Sequence, residues 1–193
     1  MKKTHIFLGL FLLLSLAGCA AVPEGNQVEI APNTFVSLPS PADFGGTANV
    51  SQLITANWNG ETNTLPVQLQ ISEKRVVLVG FSSWGTRILT LSYSGNKIEE
   101  DTLAGLGAVL PDGRQVLLNI MLTLWPAETW KPELNAIGWQ MIERENHRTL
   151  LDRNGETVAE IQYDGPLLTG RIPSTIQFEQ LRQHYQITIN TLK

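Results

Sequence analysis

Four stretches of the chain alternate apolar and polar residues with a period of two. Successive side chains of a strand point to opposite faces, so this alternation dictates strands with one buried face. Leu65, Val67, Leu69 and Ile71 alternate with Pro66, Gln68, Gln70 and Ser72. Leu89, Leu91 and Tyr93 follow the same rule, as do Ala159, Ile161 and Tyr163, and Tyr185, Ile187 and Ile189. Asn59-Gly60, Gly95-Asn96 and Asn154-Gly155 stand between such stretches, and these dipeptides tolerate the positive φ of tight hairpins. An antiparallel sheet built by sequential hairpins is expected, with strands over 52–58, 65–72, 75–82 and 87–93 in its first half. Val76-Val77-Leu78-Val79 is apolar at every position and reads as a strand covered on both faces.

One segment can supply a cover. From Arg114 to Trp125 the polar residues Gln115, Asn119 and Thr123 fall four apart, a narrow stripe on one side of a helix. Val116, Leu117, Leu118, Ile120, Met121, Leu122, Leu124 and Trp125 fill the rest of the circumference, as in a buried helix. Asp112 can cap its start and Pro126 stop it. A strand over 116–122 is the alternative. The expected fold is mainly β with a buried helix: a curved antiparallel half-barrel under a helical lid.

The N-terminus is of another kind. Lys2 and Lys3 precede an apolar run from Ile6 to Leu16, which ends at Ala17-Gly18-Cys19. The run is about half the roughly twenty residues that cross a bilayer, so 1–18 reads as a secretory signal and not a spanning helix. Cys19 is the single cysteine and cannot form an internal disulfide. Residues 19–50 hold four of the ten prolines and the pair Gly45-Gly46, the composition of a tether. Val28, Ile30, Phe35, Val36 and Leu38 suggest that its second half packs on the domain, which spans 51–193. Loss of Lys2 and Lys3 takes the formal charge from −4 to −6. A dispersed acidic balance excludes nucleic acid as a partner, because no basic stripe can neutralise phosphates.

No enzyme signature is present. Gly80-Phe81-Ser82-Ser83-Trp84-Gly85 places its second glycine one residue too late for a nucleophile elbow, and a strand follows where a helix is needed. His147 and His184 have no second ligand at metal spacing, so neither metal nor cofactor is expected. His147 lies in the charged run from Glu143 to Arg148, which reads as a solvated strand face. Trp58 and Trp139 read as core filling, and Trp125-Pro126-Ala127 with Trp130 as a mobile lid or pocket rim. Trp84 sits in a short loop where burial is hard to arrange, and suits membrane contact with Phe81 beside it.

Three resemblances bear on function. Leu16-Ala17-Gly18-Cys19 resembles the lipobox of bacterial lipoproteins. That likeness implies cleavage before Cys19, acylation of its thiol and, with Ala20 next, an outer-membrane location facing the periplasm. Val79-Gly80-Phe81, Gly85-Thr86-Arg87, Leu124-Trp125-Pro126, Gly138-Trp139 and the run Tyr185–Leu192 resemble an uncharacterised family of proteobacterial lipoproteins, over roughly residues 50–192. This second likeness implies a setting near aryl-polyene and fatty-acid-like synthesis. The element order is also similar to that of the lipoprotein receptor LolB and its carrier LolA. Their likeness implies an incomplete barrel holding acyl chains, with Trp84 in the loop used for membrane delivery. The expected function is non-enzymatic binding or transfer of an acyl or polyene-type chain. Leu69, Leu78, Leu91, Met121 and Trp125 are the expected lining, and Cys19 the anchor. A scaffolding lipoprotein with a filled core and a protein partner is the alternative.

Overall fold

The computed structural model describes residues 25–106 and 110–192, and in it the alternating stretches are strands of one sheet. The described part opens with β1 (Gln27–Ala31) and β2 (Thr34–Ser37), a separate hairpin, followed by a 3-10 helix at Pro41–Phe44. A first meander follows: β3 (Ala48–Trp58), β4 (Glu61–Ile71), β5 (Val76–Phe81), β6 (Arg87–Tyr93) and β7 (Ile98–Thr102). Helices α1 (Gly113–Leu124) and α2 (Ala127–Ala136) come next. The second meander is β8 (Gln140–Arg144), β9 (His147–Leu151), β10 (Thr157–Tyr163), β11 (Thr175–Gln180) and β12 (Tyr185–Thr191). Pairing of β12 with β3 joins the meanders into a ten-stranded sheet of order β7-β6-β5-β4-β3-β12-β11-β10-β9-β8.

The sheet is curved, and α1 gives the measure of it. A Cβ on Gly113, at the start of α1, would come within 2.3 Å of Leu91 on β6. At the other end Arg148 on β9 donates to the carbonyls of Leu122 and Trp125. Strands β6 and β9 are seven places apart in the sheet order, about 34 Å if it were flat. The twelve residues of α1 span only about 18 Å. Both strands reach one short helix because the sheet wraps it, as expected of a half-barrel. Strands β7 and β8 are the two ends of that order, so the barrel is unclosed.

Helix α1 forms for the reasons its sequence gives. Asp112 accepts from the backbone N–H of Arg114 at 2.7 Å, and Trp125 turns extended before Pro126. Helix α2 stands where a mobile lid or pocket rim is expected, and it accommodates Pro132, which removes one helical donor. It buries Trp130 and Leu134, and so the segment read as a mobile rim is core: Trp125 and Trp130 are fully buried. The β1–β2 hairpin packs on the helices from outside. Val28, Ile30 and Val36 are buried, Arg114 donates to the carbonyls of Gly25 and Gln27, and Ser37 N–H donates to Glu133.

Three other expectations fail. Strand β5 is covered on one face only: Val76 and Leu78 are buried, whereas Val77 and Val79 stay half-buried on the outer face. Arg148, read as solvated, is fully buried, paired with Glu143 and 5.9 Å from the Tyr163 ring centroid. It caps the carbonyls that α1 leaves open at its end. Trp58, read as core, is 61% exposed, because β3 outruns the helix that would cover it; Trp139 is buried as expected.

Candidate functional site

The face of the sheet that α1 crosses is mostly apolar, with Gln52 and Arg148 buried in it, and burial along it is not uniform. Strand register fixes which residues share that face. Leu69 is paired with Leu78, and Leu78 with Leu91, under the helix. By period two, Val67 and Leu65 on β4 face the same way, and so do Ile54, Ala56 and Trp58 on β3. Ile54 pairs with Leu65 and with Ile189, Ala56 with Ile187, and Trp58 with Tyr185.

Burial along these strands falls towards one end. Val67, Leu69 and Ile71 are buried, while Leu65 is half-buried and Asn63 exposed. On β12 Ile189 is buried, whereas Ile187 and Tyr185 are half-buried. Ile54 and Ala56 are half-buried as well. These five residues (Ile54, Ala56, Leu65, Tyr185 and Ile187) form a half-buried strip between the flank of α1 and the rim of the half-barrel.

A polar clasp borders the strip. The Tyr185 hydroxyl donates to Asn119 Oδ1 at 3.1 Å, and Gln115 Nε2 donates to Asn119 Oδ1 at 3.2 Å. Gln115 and Asn119 are two members of the polar stripe read from the sequence. Burial pushes the Tyr185 hydroxyl up to about 12, so it is neutral and a donor at physiological pH. The clasp carries no formal charge. Among the described residues no group of three His, Cys, Asp or Glu is placed to hold a metal ion.

The residues expected to line a chamber are brought together but carry no accessible surface. Leu69, Leu78, Leu91, Met121 and Trp125 are each at 0% exposure. A void large enough for water would leave area on its lining, so no such void touches them. A surface hollow of about 410 Å³ lies elsewhere, between Asn49, Gln70 and Arg75 at the opposite end of the sheet from Trp58. Cys19 and the signal segment lie outside the described residues.

Trp84 is where the sequence put it, in the β5–β6 loop, and is 92% exposed; Phe81 beside it is half-buried. Alternate hairpins of a meander turn at the same end, so the β3–β4 and β5–β6 tips point the same way, the β3–β4 tip extending further. Trp58 and Trp84 therefore mark one rim. Sequence reasoning missed the strip, since Ile54, Ala56 and Leu65 alternate as a covered strand would; the length of α1 alone hinted that part of β3 and β4 stays half-buried.

The chain belongs to the family described as "Protein of unknown function (DUF3261)", which it matches over residues 49–193. That is the span on which the resemblance to an uncharacterised lipoprotein family was read. No curated protein is matched by the chain. Among solved structures it is similar to a Vibrio parahaemolyticus domain assigned by name to outer membrane lipoprotein sorting. Identity there is 9%, coverage 77% of this chain and 84% of that chain, and the TM-score 0.42. It is also similar to a DUF1329 family protein from Desulfovibrio piger, at 7% identity, 81% and 92% coverage, and a TM-score of 0.37.

Proposed function

We propose that this protein is a lipid-anchored, non-enzymatic carrier or receptor for an apolar chain, held through Cys19 on the periplasmic face of the outer membrane. The observation that supports it is the half-buried strip of Ile54, Ala56, Leu65, Tyr185 and Ile187, where burial falls away from the fully covered core. A partly exposed, largely apolar strip of five residues fits an acyl or polyene chain laid along the strands, since mostly apolar surfaces with a few polar groups take such ligands. Leu69, Leu78, Leu91, Met121 and Trp125 form the deeper half of the proposed site. The chain reaches them when the flank of α1 held by the Tyr185–Asn119 clasp lifts. No covalent step is required.

The test is a titration of the delipidated soluble domain with a fluorescent fatty acid. Wild type is expected to bind, and Ala56→Trp to weaken binding about tenfold while the melting temperature holds. A wild type that binds no acyl probe favours the alternative, a scaffold, which the complete burial of the five deeper residues supports. Its surface would then meet a protein partner in the envelope.

A further inference from the structure

The tether is too short to let the tryptophan rim reach the membrane that holds it. Gly25, the first described residue, lies against the carbonyl of Asn96, in the β6–β7 turn. That turn is at the end of the sheet opposite Trp58 and Trp84: Tyr93 pairs with Val76 and Val76 with Ile71, at the far end of β4 from Glu61. Ten strand intervals from Ile71 to Glu61 make about 33 Å. The six residues from Cys19 to Gly25 span at most about 21 Å. With the rim on the bilayer, Cys19 would stop roughly 10 Å short of it.

Lying on its side does not solve this. The outer face of the sheet presents Glu99, Asp101, Glu160 and Glu179, and pressing these carboxylates on headgroups costs their hydration. The inner face carries the helices and the β1–β2 hairpin, and the strip they leave lies towards the Trp58 end, away from Gly25.

The rim itself has the chemistry of an interfacial contact. Trp58 and Trp84 stand in sequence among Asn57, Asn59, Gly60, Ser82, Ser83, Gly85 and Thr86, with Glu61 and Arg87 as flanking charges of opposite sign. The adjoining β11–β12 turn adds His184 and Arg182, the latter paired with Asp152. Indoles among small neutral groups suit the headgroup level of a bilayer, whereas a phosphate-seeking surface would be rich in lysine and arginine.

We infer that the Trp58–Trp84 rim docks in trans, on a lipid surface other than the one that holds Cys19. This rests on the lipid-anchor reading above, but not on acyl binding by the strip. The full lipidated protein, reconstituted in donor vesicles, is mixed with dye-labelled protein-free acceptor vesicles of phosphatidylcholine. Donors are expected to gather acceptors, and the double variant Trp58→Glu/Trp84→Glu to gather at least tenfold fewer. Inserting twenty Gly/Ser residues after Val22 gives the rim reach to its own bilayer, and acceptor gathering is expected to fall several-fold. Three results each overturn the inference: wild-type donors that gather no acceptors, a double variant that gathers as many as wild type, and gathering that needs a second protein. The acyl titration of the soluble domain is independent of all three, so the two readings fail separately.

Discussion

The hydroxyl of Tyr185, on the sheet, donates to the side-chain oxygen of Asn119, on the helix, at 3.1 Å. This bond ties α1 to the sheet next to the half-buried strip, and it is neutral and half-buried. Tyr185→Phe removes it and the Gln115 Nε2 donation to the same hydroxyl at 3.4 Å, while Gln115 still donates to Asn119. The expected loss of stability is about 1 kcal/mol. Amide exchange in the first half of α1 is expected to quicken more than exchange in β9 and β10, which separates a loosened lid from general destabilisation.

The same tyrosine gives a pH dependence. In the unfolded chain a tyrosine ionises near 10, and in the fold Tyr185 is pushed up to about 12, chiefly by burial. The fold holds the neutral form. The stability this contributes is fully present below about pH 10 and is lost as pH rises through about 12. Denaturant midpoints measured from pH 8 upwards are expected to fall above pH 10, and less steeply in Tyr185→Phe. Tyr163, raised further by burial and donating to the Thr123 carbonyl, keeps part of the slope in that variant.

Arg148 anchors the other end of α1. Its guanidinium is fully buried and serves the Leu122 and Trp125 carbonyls and the Glu143 carboxylate together. Arg148→Met leaves those carbonyls without a donor, at about 1–3 kcal/mol for each unsatisfied buried group. A total near 3 kcal/mol, read from urea melts, is expected. A surface charge would give a loss within about 0.5 kcal/mol, and that result would remove Arg148 from the account of how the helix is held.

The tryptophans divide by place and are expected to divide by effect. Trp84→Glu changes an exposed tip and is expected to shift stability by about 0.5 kcal/mol or less. Trp130→Ala empties a fully buried site and is expected to cost about 3–5 kcal/mol. Thermal melts of both variants side by side check the contrast.

The anchor is tested apart from the fold. Cys19→Ser in cells fed radioactive palmitate is expected to carry no label and to appear either unprocessed or released. A variant that still takes up label contradicts lipidation at Cys19.

What was legible in the sequence was what local pattern controls. The alternation at Leu65–Ile71 and Leu89–Tyr93, the positive-φ turn at Asn59-Gly60 and the apolar girth of 114–125 each report a local periodicity, and each stands in the fold. The errors lie where non-local geometry decides. Arg148 is charged, and nothing local says that a helix end 26 residues away will take its protons. Trp58 continues an alternating strand, but whether it is core depends on how far α1 extends over β3. Val77 and Val79 are apolar without a cover, because the only layer in reach lies on the other face. The segment around Trp130 was read as a mobile rim, and only its packing on the core shows it to be a buried helix. The candidate site follows the same division. Its deeper residues were read from the strand pattern, and its half-buried strip needed the register of β3 with β4 and β12.

The central claim is that an apolar chain lies on the strip formed by β3, β4 and β12 and continues under α1. A fatty acid carrying a diazirine near its terminal methyl, irradiated with the soluble domain and mapped by mass spectrometry, tests this most directly. The account predicts label on peptides that hold Ile54–Ala56, Leu65 and Tyr185–Ile187, with a lesser share on the α1 peptide that holds Met121. Label confined to the Trp84 loop or the outer face, or spread evenly over all strands, contradicts it.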